Sequence, residues 1–130
     1  MTHTEELVTN FLTLLKTERP LLDDALKMLT VTQQHEYKYV GGVDVKATIN
    51  GLYGLVRQSE SFEVFEKPSS NKMVKDVKIV LRMTYEAEKI SGFKSRKLTC
   101  RCVKESDVRK PNIDGVWGIN VSSFKFVDGK

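Results

Sequence analysis

The chain has 130 residues, 40% of them hydrophobic and 29% charged, and carries a net charge of +4. That length fits one domain, and a domain of this size buries about two-thirds of its unfolded surface, so it needs no metal or disulfide staple. The apolar clusters are too short for a transmembrane helix, and so mild a positive charge does not by itself indicate nucleic-acid binding.

The N-terminal MTHTEELVTNF lacks a basic region ahead of an apolar core and does not read as a signal peptide. Leu7, Val8, Phe11, Leu12, Leu14 and Leu15 then recur at helical spacing and predict a first helix. Its start is capped either by Thr2 with Glu5 or by Thr4 alone. Pro20 ends this helix and suits the first turn of a second, in which Leu21, Leu22, Ala25, Leu26 and Leu29 form the apolar stripe. Asp23 and Asp24 fall near its positive end. Residues 31 to 40, VTQQHEYKYV, alternate polar and aromatic side chains and predict a strand closed by the Gly41-Gly42 turn. On that strand His35, Tyr37 and Tyr39 share one face. Helical period returns with Val45, Ile49, Leu52, Leu55 and Val56, with Asp44 as the candidate N-cap. Gly51 and Gly54 lie on one face of this helix, implying either close packing or a small opening there.

Strands dominate from residue 61 onward. SFEVFE is short and alternating, and KPSSNKM is a loop of turn formers. In the next strand Val77, Ile79, Leu81, Met83 and Tyr85 share a face, opposite Val80, Arg82 and Thr84. EKISG predicts a hairpin turn. Leu98, Cys100 and Cys102 then stand against Thr99, Arg101 and Val103, and KESDVRKPNIDG is a charged loop. The last strand carries Trp117, Ile119 and Val121 on one face, then Phe124 and Phe126 on the other. That switch predicts a bulge or bend near Ser122-Ser123. Helices followed by long strands at hairpin spacing give an α+β domain over residues 1–130, with N-terminal helices packed on a mainly antiparallel sheet. Apolar residues on both faces of the later strands leave one face for the helices and one for a partner, of which a second copy is the simplest.

Four stretches, EELVTNFLTLLKTERP with LLDDALKMLT, HEYKYVGG, VKATINGLYGLV and DGVWGINVSSFKF, resemble the nuclear-transport-factor-2-like (SnoaL-like, cystatin-like) superfamily of α+β cones. The resemblance covers nearly the whole chain and lies in the order of elements, not in a strict motif. It implies a curved sheet wrapped round a helix, a pocket at the open end, and pairing through the outer face of the sheet. Enzymes of this superfamily, among them ketosteroid isomerases and polyketide cyclases, place an acid-base carboxylate in the pocket. Tyr39 stands at the matching position at the end of the HEYKYV strand. A tyrosine titrates near pH ~10 and is a poor base at neutral pH, although it can donate to an oxyanion.

His35, Tyr37, Tyr39, Tyr53, Tyr85, Arg101 and Trp117 are the candidate pocket residues, suited to a small apolar ligand. His35 is a general-base candidate, but no Ser, Cys or Asp forms a triad motif with it, and a singly hydrogen-bonded strand histidine is the plainer reading. For each of the tyrosines and Trp117, a core residue with a polar tip at the surface is the plainer reading. Arg101 is a carboxylate-binding group if it faces the pocket, but a solvated or interface arginine is the plainer reading. Cys100 and Cys102 sit two apart on one strand, a poor disulfide geometry, and without a second pair or a spaced histidine they read as small core residues. Reduced thiols fit an intracellular, cytoplasmic protein. KSRK at 94–97 and VRK at 108–110 lack interleaved aromatics for base stacking, Asp107, Asp114 and Asp128 lack calcium-loop spacing, and the NVS sequon at Asn120 reads as chance. No cofactor or metal is expected. The function expected is non-catalytic: self-association through the sheet or binding of a partner protein, with room for a small ligand. The alternative is a pocket enzyme of the SnoaL or ketosteroid-isomerase type.

Overall fold

The structure, a computed structural model, describes residues 1–17, 22–106 and 115–128. The expectations placed on Pro20, Leu21, the 108–110 basic run, Asp107 and Asp114 lie outside the described residues.

Helix α1, His3–Leu15, begins at a capping box: Glu5 N donates to Thr2 Oγ1 at 3.2 Å and Thr2 N to Glu5 Oε1 at 2.9 Å. The other Glu5 oxygen accepts the Glu66 N–H at 2.8 Å, and the Thr4 hydroxyl donates to the Glu66 carboxylate. These contacts tie the start of the helix to the far end of the first strand. The backbone N–H groups of Glu66 and Thr2 hold the Glu5 carboxyl below the usual range, because they bond only its charged form well. Val8, Phe11, Leu12 and Leu15 form the buried stripe. Helix α2, Leu22–Leu26, buries Ala25 and Leu26, and Leu29 just beyond it is buried too.

Residues 31–40 are helix α3, Val31–Val40, and not the strand that their alternation predicts. Thr30 accepts from Gln33 N at 3.2 Å as N-cap, and Gly41, at φ 108°, ends the helix in the left-handed conformation. The helical turn separates the three aromatic residues. Tyr37 packs half-buried against the core, whereas His35 and Tyr39 face outward. Helix α4, Val43–Arg57, follows directly. Its N-cap is Gly42, at φ 62°, with Asp44 inside the first turn, which corrects the expectation of an Asp44 cap. A Cβ at Gly42 would lie 2.3 Å from Tyr37 Cδ2, so the two helices meet at a point only glycine permits. Val45, Ile49, Leu52 and Val56 are the buried stripe of α4.

Gly51 and Gly54 neither pack closely nor frame an opening, since a Cβ at either would meet nothing within 4 Å. Both are exposed positions in a helix interior, where glycine costs about 1 kcal/mol relative to alanine. The Gly51→Ala/Gly54→Ala double variant is therefore expected to be more stable by about 2 kcal/mol. Urea denaturation monitored by circular dichroism reads this, and an unchanged or lower midpoint would contradict it.

Strands β1 (Ser59–Glu66), β2 (Val74–Met83), β3 (Ser95–Glu105) and β4 (Val116–Phe126) form one open antiparallel sheet in the order β1-β2-β3-β4. The connection from β2 to β3 is not the simple hairpin turn predicted. It holds a short helix α5, Tyr85–Ser91, capped by the Thr84 hydroxyl and ended by Gly92 at φ 81°. Tyr85 thereby leaves the row of Val77, Ile79, Leu81 and Met83 and stands 69% exposed. On the helix-facing side, Val77 opposes Cys100, Ile79 opposes Leu98, and Cys102 opposes Ile119. With Leu81 and Val121, none of these is more than 3% exposed. Full burial of one such aliphatic side chain is worth about 1.5–3 kcal/mol, so this layer is the main source of stability. Helices α1 and α4 both meet the edge strands β1 and β4.

The predicted bulge is present. On β4, Asn120 opposes Arg101 and Lys125 opposes Thr99, so the stretch between them on β4 is longer than its partner on β3. The Arg101 N–H donates to Ser123 Oγ at 2.7 Å across the gap. The bulge does not send Phe124 to the outer face. It turns the ring back onto Phe11, with centroids 6.1 Å apart. The free edge of β4 is met by the segment after α2. Ile119 N donates to Met28 O at 2.9 Å, and Thr30 N donates to Ile119 O at 3.1 Å, forming a parallel bridge. At the end of β4, Asp128 accepts from Arg96 Nε at 3.1 Å and from Lys97 N at 3.0 Å. The Arg96 guanidinium lies 3.9 Å from the Phe126 centroid and 4.3 Å from that of Phe93. Burial pushes the Asp128 carboxyl up, but Arg96 and the Lys97 N–H outweigh it and leave the group below the usual range.

Candidate functional site

Strand alternation fixes what the outer face of the sheet displays. One row reads Glu63, Val80, Lys97; the next reads Phe65, Lys78, Thr99, Lys125; a third reads Asp76, Arg101, Asn120. Val74 and Val103 oppose each other beyond it. The apolar part of this face is thus Phe65, 46% exposed, with half-buried Val74, Val80 and Val103, set among charges of both signs. It is less apolar than the sequence pattern implied, because Trp117 shares the helix-facing side with Ile119 and the bulge returns Phe124 to the core.

Among the described residues, concavities lie at three places around this frame. One of about 620 Å³, at the start of β1 and the end of β2, is lined by Glu60, Glu63, Arg82, Tyr85, Glu88 and Lys94 among others. One of about 420 Å³ lies against the β4 bulge. One of about 400 Å³, at the N-terminus of α3, is lined by Thr30, Thr32, Gln33, Glu105, Asn120 and Ser122 among others. In the last, Gln33 is pinned from three directions: it accepts from Val121 N at 2.9 Å and donates to Asn120 Oδ1 at 3.1 Å and to Ser122 Oγ at 3.2 Å.

The seven candidate pocket residues do not converge on one cavity. His35 and Tyr39 lie together on the outer side of α3, ring centroids 4.5 Å apart, with the Lys38 ammonium 5.3 Å from the Tyr39 ring. Tyr37 faces the core beneath Gly42. The Tyr53 hydroxyl accepts from Arg57 Nη1 at 2.6 Å on α4. Tyr85 lines the 620 Å³ concavity, where the Lys89 ammonium sits 5.3 Å from its ring. Arg101 lines the concavity at the bulge and pairs with Asp76 at 3.1 Å. Trp117 opposes Lys104 at the helix-facing rim of the sheet. Sequence reasoning did not single out Lys67 and Lys125, which join Arg101 at the bulge. The signal was available: the bulge predicted near Ser122-Ser123 leaves room beside the strand that carries Arg101.

Cys100 and Cys102 both point into the core. A hydrogen bond with the Cys102 thiol, and then burial, push the Cys100 thiol well above its usual range, so it supplies no thiolate at neutral pH. Among the described residues, no three His, Cys, Asp or Glu side chains gather closely enough to hold a metal ion. Among them, too, no helix is long and apolar enough to cross a membrane. Comparison with protein-family models, curated proteins and solved structures finds no match to this chain.

Proposed function

We propose that this chain is a non-catalytic domain of the nuclear-transport-factor-2-like kind, acting by pairing through the outer face of its sheet with a second copy or a partner protein. One observation carries the reading. The space between helices and sheet, where a pocket enzyme of this type would hold its substrate, is occupied by Val77, Ile79, Leu81, Leu98, Cys100, Cys102, Ile119 and Val121, each at most 3% exposed. The seven candidate residues, spread over α3, α4, α5, β3 and β4, supply no general base beside an apolar cavity, which counts against the SnoaL or ketosteroid-isomerase alternative. What remains is a broad strand surface on which Phe65 and Val80 are separated from the Val74–Val103 pair by the Asp76–Arg101 row, apolar residues and charges of both signs interleaved, a mixed composition that a protein interface accommodates.

Sedimentation velocity at protein concentrations on the order of 100 μM, well above the Kd range of transient pairs, tests the self-association arm. The expected result is a dimer for the wild type and a monomer for Val80→Glu, whose side chain lies on the outer face, with unchanged circular dichroism. A wild type that stays monomeric at that concentration sinks the reading as self-association.

A further inference from the structure

The concavity at the β4 bulge is lined mainly by basic and hydroxyl side chains. Among the described residues, three cationic side chains, Lys67, Arg101 and Lys125, line its roughly 420 Å³, against one carboxylate, Asp76. Asp76 is already engaged by Arg101 through Nε at 3.1 Å, which leaves the two terminal guanidinium nitrogens of Arg101 without a hydrogen bond among the described residues. Neither lysine ammonium forms an ion pair among the described residues. Ser122 Oγ accepts from Gln33 Nε2 at 3.2 Å, so its own hydrogen is free to donate. The bulge is what makes this a recess: between Asn120 and Lys125 strand β4 arcs away from β3, and Phe124 and Val127 are the apolar residues of its lining.

A guanidinium fork with two unused nitrogens, flanked by two ammonium groups, matches a dianionic tetrahedral oxyanion better than a planar monoanion. The volume exceeds that of the oxyanion alone, and Phe124 and Val127 in the lining favour an apolar group on the remaining oxygen. We propose that the β4 bulge is a binding site for the phosphate monoester of a small apolar or aromatic alcohol, with Arg101 as the bidentate group. Lys67 and Lys125 supply charge and Ser122 a neutral donor. The site is built within one chain and needs no second copy, although Asp76, Arg101 and Lys125 lie on the outer face through which the sheet is proposed to pair.

Titration of the uniformly ¹⁵N-labelled protein with phenyl phosphate, inorganic phosphate and, at matched ionic strength, sodium chloride tests the site. Saturable shifts are expected at the backbone amides of Arg101, Ser123 and Lys125, with phenyl phosphate binding more tightly than inorganic phosphate. Charged hydrogen bonds of this kind are worth about 1.5–3 kcal/mol, so Arg101→Gln is expected to weaken both by about tenfold or more. Lys125→Gln, at an exposed position, checks the result against any misfolding of the Arg101 variant and is expected to weaken binding as well. The proposal is overturned by an absence of saturable shifts at those amides, by shifts that sodium chloride reproduces, or by an affinity that neither substitution changes.

Discussion

Gly118→Ala is expected to destabilise the protein by about 3–5 kcal/mol. A Cβ at this position would lie 2.5 Å from both Leu29 O and Thr30 Cα. Both are backbone atoms of the segment that bridges the β4 edge, so neither can move aside as a flexible side chain would. Relief requires that the segment withdraw. Withdrawal breaks the bonds from Ile119 N to Met28 O and from Thr30 N to Ile119 O, at 2.9 and 3.1 Å. The cost is overpacking of about 1–3 kcal/mol plus the loss of hydrogen bonds worth about 1 kcal/mol each. Gly115→Ala is the control. Its Cβ would meet Lys104 Cγ at 2.8 Å, an atom of a flexible side chain that can rotate away, so the effect should stay within about 1 kcal/mol. Urea unfolding of the two variants decides it: equal midpoints would mean that the close approach of Leu29 to β4 is not a tight constraint.

Phe11→Ala carries the second large effect, a loss of about 3–5 kcal/mol. Phe11 is 0% exposed at the centre of the α1 stripe and stacks on Phe124. Its removal leaves a cavity between α1 and β4 that the rigid sheet cannot close. Phe124 is only half-buried, so Phe124→Ala should cost less. A double-mutant cycle isolates the ring pair, with a coupling energy of about 0.5–1.5 kcal/mol expected for stacked aromatics. Additive effects would show that the bulge does not deliver Phe124 to the helix as described.

Much of this architecture is legible in the sequence because it is set by local rules. The α1 stripe, the Thr2–Glu5 cap, the inward row of Val77, Ile79 and Leu81, and the common direction of Cys100 and Cys102 all follow from period and capping. The stretch 31–40 misleads because its buried face is so slight. Of its described side chains only Gln33 is buried, and Tyr37 is half-buried, so β-favouring Tyr and Val residues outweigh a weak helical period. Its end signals are the better guide: Thr30 before it and Gly41 after it are the N- and C-terminal punctuation of a helix. Thr84 and Gly92 punctuate α5 in the same way. The dispersal of the candidate site has the same origin. Once 31–40 is a helix, His35 and Tyr39 turn to one side and Tyr37 to the other, and no aromatic wall can form from the three. The basic recess at the bulge depends on a tertiary feature, the longer path of β4, that places Lys67 beside residues far along the chain.

The seat of Phe124 on Phe11 and the bond from Val121 N to Gln33, whose partners are 88 positions apart, bear on how the chain reaches this state. Helices α1 to α4 can form early, but the layer that buries their stripes is completed only by the last strand. Loop-closure entropy therefore has to be met before most of the hydrophobic gain is realised, which places the domain among slower folders than a helical bundle of equal length. During synthesis the helical half leaves the ribosome with its apolar faces uncovered, and it stays so until β4 emerges. That interval, not the finished fold, is when the protein is most exposed to aggregation and most dependent on chaperones.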